Sequence, residues 1–130
     1  MKNCFIFSGQ GSHRPGMSLN LYNTFQLAKD RIELSNKILG YDISEIMFSA
    51  EENVVRQTQS AQPAIFIHST ILFDLIKDQK ECVAVAGHSL GELSALYANN
   101  FFDFETGLKI VDVRARAMHE CELNLSLIHI

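Results

Sequence analysis

The stretch that decides the fold is Val83-Ala84-Val85-Ala86-Gly87-His88-Ser89-Leu90-Gly91-Glu92. Its first four residues are small or branched and apolar, which predicts a buried strand of a parallel sheet. From Glu92 to Ala98 the chain continues as a run of good helix formers. A serine between two glycines, with a strand before it and a helix after it, is typical of a nucleophile elbow. The stretch therefore predicts a nucleophilic Ser89 on an α/β fold.

The two glycines explain how the chain can make this turn. Gly87 and Gly91 allow the backbone to turn sharply and to pack closely, so that Ser89 is pushed out above the sheet. Ser89 then lies at the N-terminus of a helix, where free amides favour a developing negative charge. The Gly-x-Ser-x-Gly pattern alone is weak, and its strand-turn-helix context makes it specific.

The rest of the chain alternates strands with helices, which predicts an α/β fold with a parallel sheet and flanking helices. A first strand is predicted at residues 2–7. Helical patterns follow at residues 17–39 (in one or two pieces, with Gly40 as the stop), 43–57, 60–77 and 105–121. Pro63 is expected in the first turn of its helix, where a missing amide costs little.

Apolar spacing identifies the side chains that we expect in the core. In the three helical regions between residues 17 and 77 they are Leu27, Ile32, Leu34, Ile38 and Leu39, then Ile43, Ile46, Met47, Val54 and Val55, then Ala61, Ala64, Ile65, Leu72, Leu75 and Ile76. His68 lies on the same face as the last group. A lone histidine there is interpreted as a hydrogen-bonded core residue rather than a catalytic base.

A loop rich in glycine, serine and glutamine follows the first strand at residues 8–16. It can be a simple turn, or it can bring backbone amides close to a ligand. The loop alone does not decide between these two interpretations.

Two arginines on the last predicted helix have different surroundings. Arg114 shares its face with apolar positions, namely Gly107, Ile110, Val111, Ala117 and Met118, whereas Arg116 has Asp112 four residues before it and Glu120 four residues after it. Arg116 is therefore expected on a solvated, salt-bridged surface. An arginine on an apolar face is costly unless paired, so Arg114 either forms a structural ion pair, extends to water or binds a ligand carboxylate.

Composition excludes several classes of protein. The 130 residues are 47% hydrophobic and 20% charged, with a net charge of −4, which indicates one globular domain. No basic run is present that would bind nucleic acid, and no segment is long and apolar enough for a signal peptide or a membrane span. Three widely spaced cysteines are interpreted as reduced thiols. We expect a soluble, cytoplasmic protein.

Four segments together resemble one family. They are Phe7-Ser8-Gly9-Gln10-Gly11-Ser12-His13, Gln62-Pro63-Ala64, Gly87-His88-Ser89-Leu90-Gly91-Glu92 and Val113-Arg114-Ala115-Arg116-Ala117-Met118. In order and spacing they resemble the motifs of malonyl-CoA:acyl carrier protein transacylases and of the related acyltransferase domains of fatty-acid and polyketide synthesis. The resemblance runs from Phe5 to about Cys121.

The resemblance implies a site and a reaction. Ser89 would carry the malonyl ester, the amides of Gln10 and Leu90 would form the oxyanion hole, and Arg114 would hold the free carboxylate of the malonyl group. Gln62 and His88 would line the pocket. Leu90, where glutamine is the alternative, fits malonyl better than methylmalonyl substrates.

The resemblance also implies the partners. Malonyl-CoA would be the acyl donor and an acyl carrier protein the acceptor, with no metal and no cofactor apart from the coenzyme A thioester as substrate. The family is usually monomeric, and no nucleic-acid or membrane partner is implied.

This sequence departs from the family pattern in several places. Ser8, His13, Ala61 and Ala115 replace the proline, glutamine, threonine and glycine that are usual there. The family's catalytic histidine lies in a later half of the domain, beyond a ferredoxin-like small subdomain, and no histidine here matches it.

The expected organisation follows from these departures. Residues 1–121 are interpreted as the N-terminal part of the large, α/β-hydrolase-like subdomain, and residues 122–130 as an unmatched tail. Within that tail, residues 125–130 match the in-frame translation of a transposon-end sequencing adapter, and we interpret them as an artefact.

Two other interpretations stay open. A serine hydrolase or thioesterase would share the elbow but would not need Arg114. Alternatively, the chain is a catalytically inactive fragment, poorly soluble because strand edges and apolar faces are left uncovered.

Overall fold

The structure is a computed structural model that describes the backbone of residues 1–49 and 51–129 and the side chains of residues 1–48 and 51–125. In chain order its elements are β1 (Lys2–Phe7), α1 (Leu19–Thr24), α2 (Gln26–Leu39), α3 (Ile43–Ser49), α4 (Glu52–Val55), α5 (Thr58–Ile76), a 3-10 turn (Lys77–Gln79), β2 (Glu81–Gly87), α6 (Gly91–Ala98) and α7 (Phe104–His129). The predicted α/β class is confirmed.

The two strands form a parallel pair, as predicted. The register runs from Lys2 opposite Glu81 to Phe7 opposite Gly87. Because the strands are parallel and in this register, their carboxyl ends meet at one edge of the sheet. The glycine-rich loop after β1 and the Ser89 turn after β2 therefore leave the sheet side by side.

The prediction that residues 83–86 form a buried strand is wrong in one respect, since the strand exists but is largely exposed. Val83 retains 55% of its accessible surface, and Ile6 on the neighbouring strand retains 79%. The sheet has two strands within the described residues. No described element covers these side chains, although β-branched and small residues there are typical of a strand covered on both faces.

Helix α5 is the centre of the fold and packs against both α6 and α7. It is buried nearly all round from Thr58 to Thr70, so the single apolar stripe that we predicted was too narrow. Leu72 and Ile76, predicted as core, are exposed. Pro63 lies inside the helix rather than in its first turn, because the helix begins at Thr58 instead of Ser60. The Gln59 carbonyl thereby loses its usual amide partner.

The earlier helices follow the prediction more closely. The 17–39 region is divided at Phe25, and α2 ends at Leu39. The next residue, Gly40, has a φ of 77°, the left-handed conformation that glycine favours after a helix. The buried stripe of α2 consists of Ala28, Ile32, Ser35 and Leu39. Leu27 and Leu34 lie on its flank and are exposed, as is Val54 of α4, so their core assignment was wrong.

A buried ionic cluster joins three helices of this core. Asp74 of α5 accepts a hydrogen bond of 2.6 Å from the Tyr97 hydroxyl and forms ion pairs with Arg31 at 2.6 Å and Lys77 at 2.9 Å. Burial raises the pKa of Asp74, but the hydrogen bonds from Tyr97, Lys77 and Arg31 outweigh burial and hold it below its ordinary value. The Arg31 guanidinium also lies 4.6 Å from the centre of the Phe104 ring.

The last helix, α7, extends beyond the predicted end at residue 121. Residues 126–130, which make up most of the predicted artefact, lie outside the residues whose side chains are described. The three cysteines are free, as predicted, and all three are exposed. In the described part of the chain, no helix combines the length and the apolar character needed to cross a membrane.

Candidate active site

The Ser89 turn has the strained geometry of a nucleophile elbow. Ser89 has a φ of 54°, in the left-handed region that non-glycine residues seldom adopt, and its side chain is exposed. The turn is held by the amide of His88, which donates to the Phe7 carbonyl at 3.2 Å, and by the amide of Gly91, which donates to the His88 carbonyl at 2.9 Å. The hydroxyl is thereby raised at the end of β2.

The flanking glycines are required by close backbone contacts, as the sequence predicted. A Cβ atom at Gly91 would lie 2.2 Å from the Phe7 carbonyl oxygen, and one at Gly87 would lie 2.0 Å from the Gly91 carbonyl oxygen. Neither approach leaves room for a methyl group. The first turn of α6 can therefore pack directly on the ends of both strands.

The glycine-rich loop lies against the elbow. A Cβ atom at Gly9 would be only 2.4 Å from the carbonyl oxygen of His88, so the two backbones are in contact. Within the loop, the Ser12 hydroxyl donates to the Gly9 carbonyl at 2.8 Å. The loop thus brings its amides next to Ser89, which favours a ligand-facing loop over a simple turn.

The two amides predicted for the oxyanion hole come just after this contact in the sequence, Gln10 directly after Gly9 and Leu90 two residues after His88. In the described part of the chain, no hydrogen bond is made by the backbone amides of Gln10 and Leu90. The Leu90 side chain is fully buried, which fixes its backbone at the N-terminus of α6. Both amides are therefore available as donors.

Arg114 of α7 reaches the elbow across the site. Its Nη2 lies 3.2 Å from Ser89 Oγ, and its Nη1 donates to the Oε1 atom of Gln62. Gln62 is fully buried, and its Nε2 lies 3.2 Å from the Met118 sulfur, so the amide oxygen is turned towards Arg114. Ion pairs among the described residues do not include Arg114. Its partners are neutral, which leaves the positive charge uncompensated.

Arg116 has the surface position that the sequence predicted. It pairs with Asp112 at 2.8 Å, and its side chain is largely exposed. Glu120 forms no ion pair with it among the described residues. The apolar face expected around Arg114 is narrower than predicted. Val111 is buried there, but Ile110 and Ala117 are exposed.

None of the described histidines forms a hydrogen bond with the Ser89 side chain. His88 is exposed, with its ring beside Gly9, and His68 is hydrogen-bonded through Nδ1 to the Ser18 hydroxyl at 2.7 Å, as expected of a core histidine. Burial lowers the pKa of His68. Burial also lowers the pKa of His13, with Arg56 and Arg14 acting in the same direction. His119 lines a cavity of about 530 Å³ together with Arg116.

One chain of hydrogen bonds at the site was not predicted. The Gln10 side-chain amide donates to Thr58 Oγ1 at 3.1 Å, and the Thr58 hydroxyl lies 2.9 Å from both carboxylate oxygens of Glu122. Sequence spacing offered no signal for it, because the three residues lie on three separate elements. In the described part of the chain, no group of three acidic, histidine or cysteine side chains could hold a metal ion.

Comparison with known proteins identifies the family of this chain. Residues 4–125 match the family described as "Acyl transferase domain". This chain belongs to that family. It is 41% identical over 119 residues to a malonyl CoA-acyl carrier protein transacylase of Synechocystis sp., covering 91% of this chain and 40% of the relative. It is 40% identical to the polyketide biosynthesis protein ThaF of Burkholderia thailandensis, covering 89% and 10% of the two chains.

Solved structures give the same relationship. The Synechocystis malonyl-CoA:ACP transacylase superposes with a TM-score of 0.87 at 40% identity, covering 92% of this chain and 41% of that structure. A malonyl-transacylase solved in complex with its type II PKS acyl-carrier protein gives a TM-score of 0.83 at 30% identity, covering 90% and 38%. This chain thus spans about 40% of the length of the transacylases it matches.

Proposed function

We propose that this chain carries the nucleophile and the carboxylate-binding residue of a malonyl-CoA:acyl carrier protein transacylase. Ser89 accepts the malonyl group from coenzyme A as an ester and passes it to the phosphopantetheine thiol of a carrier protein. The observation that carries the proposal is the 3.2 Å contact between Ser89 Oγ and Arg114 Nη2. The names of the related transacylases support the same donor and acceptor.

The contact supports a substrate with a carboxylate close to its thioester. In a malonyl group, one methylene separates the carboxylate from the reacting carbonyl. A guanidinium that touches the nucleophile can hold that carboxylate while the carbonyl carbon lies over Ser89 Oγ. A longer dicarboxylic acyl group would place its carboxylate beyond Arg114, and an acetyl group would leave the guanidinium unpaired.

The first half-reaction follows from these positions. Ser89 Oγ attacks the thioester carbonyl carbon, its proton passes to a base, and the carbonyl oxygen becomes negatively charged. We assign the amides of Gln10 and Leu90 to that oxygen. The carbon–sulfur bond then breaks, coenzyme A leaves as a thiol after taking up the proton, and the malonyl ester of Ser89 remains. We also assign His88 and Gln62 to the wall of the acyl site, Gln62 because it accepts a hydrogen bond from the Arg114 guanidinium.

The second half-reaction reverses these steps with a new thiol. The carrier protein's phosphopantetheine sulfur attacks the ester carbon, and the Ser89 oxygen leaves and regains a proton. Both halves use one oxyanion site, because both pass through a tetrahedral intermediate on the same carbon.

The general base is the one component that the described residues do not provide at Ser89. Removal of the histidine from a serine triad leaves only about 10³- to 10⁴-fold acceleration over water. We therefore expect this chain alone to acylate slowly, and we expect imidazole in the buffer, a diffusible base, to accelerate the reaction.

The test is acylation of the 130-residue chain by malonyl-CoA in the presence of imidazole, followed by intact and peptide mass spectrometry. We expect one malonyl group per chain, located on Ser89, and none on the Ser89→Ala variant. Acylation of Ser89→Ala at the wild-type rate would refute the role of the serine. Release of free malonate instead of transfer to an added holo carrier protein would favour a thioesterase.

A further inference from the structure

We propose that Thr58 is a positioning residue for the glycine-rich loop after β1, which supplies the Gln10 amide of the oxyanion hole. It holds this loop, here called the oxyanion loop, through the side chain of Gln10. Thr58 begins α5, and its hydroxyl links the loop after β1 to the far end of α7 through the Gln10–Thr58–Glu122 chain of hydrogen bonds. The inference rests on the proposed function, since it concerns the loop that supplies the Gln10 amide.

The loop needs such an anchor at this point. Gln10 is exposed, and the next residue, Gly11, has a φ of 105° and no neighbouring atom within 4 Å of a Cβ position. Glycine and open space leave this part of the loop free to move. The contact of Gly9 with the elbow holds the preceding residue, but within the described chain the Gln10 side chain is tied only to Thr58.

The direction of the hydrogen bonds makes Thr58 suited to this role. A hydroxyl has a single proton, and an ionised carboxylate can only accept, so Thr58 donates its proton to Glu122. The lone pairs of Thr58 are then directed to the Gln10 amide, which can only donate through its nitrogen. Thr58 is buried, 4% exposed, so few water molecules compete for this contact.

The consequence is a restraint on the Gln10 backbone amide. Because oxyanion stabilisation depends on where the donor lies before the reaction, loosening the loop weakens transition-state binding more than substrate binding. Thr58 therefore affects the rate of acylation and not the affinity for malonyl-CoA.

The test compares two substitutions at Thr58 with a matched control. Thr58→Val keeps the shape and removes the hydroxyl, whereas Thr58→Ser keeps the hydroxyl. Thr70→Val makes the same change elsewhere on α5, where the hydroxyl donates to the Ile67 carbonyl at 3.0 Å, away from the loop.

The first readout does not depend on activity. Backbone ¹⁵N relaxation of Gln10 should give an order parameter near the rigid value of about 0.85 in the wild type, in Thr58→Ser and in Thr70→Val. In Thr58→Val it should fall towards about 0.6. An unchanged Gln10 order parameter in a folded Thr58→Val variant would overturn the inference.

The second readout is imidazole-assisted acylation of Ser89 by malonyl-CoA. Thr58→Val should lower the maximal rate by about ten- to a hundredfold with the half-saturating concentration unchanged, while Thr58→Ser and Thr70→Val stay near wild type. If Ser89→Ala is unreactive and Thr58→Val reacts at the wild-type rate, the inference about Thr58 is wrong and the proposed function stands. Equal reactivity of Ser89→Ala and the wild type contradicts the proposed function instead.

Discussion

Ser89 and Arg114 are 25 positions apart in the sequence and meet side chain to side chain at 3.2 Å. The sequence alone left three environments open for Arg114, and among the described residues the structure excludes one of them, the structural ion pair. Gln62 and Ser89 are both neutral, and no described carboxylate pairs with the guanidinium. An exposed serine beside an uncompensated guanidinium is a site that an anionic acyl group can complete.

Replacing Arg114 should remove the preference for a charged acyl group. Arg114→Ala should lower the acylation of Ser89 by malonyl-CoA by about 10- to 100-fold, because a hydrogen bond between charged partners contributes about 1.5–3 kcal/mol. Acylation by acetyl-CoA should change little or increase. The measurement is the ratio of the two acylation rates by mass spectrometry.

Arg116 provides the matched control, since it lies on the same helix and pairs with Asp112 at the surface. Arg116→Ala should keep the wild-type ratio of malonyl to acetyl transfer. A ratio that is equally altered in both variants would show that helix charge, rather than a carboxylate contact at Arg114, sets the preference.

At the scale of the elements, the strand-turn-helix unit could be predicted from its sequence because its geometry is local. The glycine spacing around Ser89, the apolar run before it and the helix formers after it all favour the same conformation. The exposure of Val83, Leu27 and Leu72 could not be predicted in this way, because burial depends on which other elements cover a face. Periodicity identifies an apolar face but not the element that packs against it.

The elbow glycines should be among the least tolerant positions in the chain. Gly91→Ala would place a methyl group 2.2 Å from the Phe7 carbonyl oxygen, where backbone and not a flexible side chain must move. We expect a loss of more than about 3 kcal/mol in the free energy of unfolding, measured by urea titration. Gly11→Ala, which meets open space, should cost about 1–2 kcal/mol for its positive φ alone. Similar losses in the two variants would argue against the close packing.

The ionic cluster on Asp74 should contribute far more to stability than a surface pair. Asp74→Ala removes the shared acceptor of Arg31, Lys77 and Tyr97 and leaves Arg31 buried without its carboxylate, so about 3–5 kcal/mol should be lost. Asp112→Ala, which breaks the pair with the largely exposed Arg116 side chain, should cost about 0–1 kcal/mol. Urea unfolding of both variants measures the difference, and equal losses would contradict the account.

For the molecule as a whole, the sequence predicted the fold class and the order of the elements. The loops after β1 and β2 leave the sheet side by side because parallel strands bring their carboxyl ends together. The Gln10–Thr58–Glu122 chain was missed because it joins three elements whose relative placement comes only from packing. Neither sequence nor structure identifies a base for Ser89 among the described histidines.

Stability should decrease as the pH falls below about 6.5, because the buried His13 and the half-buried His68 both have lowered pKa values. The unfolded chain binds protons at these histidines before the folded chain does, so their neutral forms stabilise the fold only above the ordinary histidine pKa. Urea unfolding at pH 7.5 and pH 5.5 should show the loss, and the double variant His13→Gln, His68→Gln should show a smaller pH difference. An equal pH difference in the two proteins would assign the effect to other groups.

If Ser89 and Arg114 form one malonyl site, a crystal structure of this chain grown with malonate should show the ligand bound to both side chains. We expect a malonate carboxylate between the two side chains, accepting hydrogen bonds from the Arg114 guanidinium, with its second carboxylate directed at Ser89 Oγ and the Gln10 and Leu90 amides. If Arg114 is still hydrogen-bonded to Ser89 at a saturating malonate concentration, with no malonate between them, the two residues do not form a malonyl site.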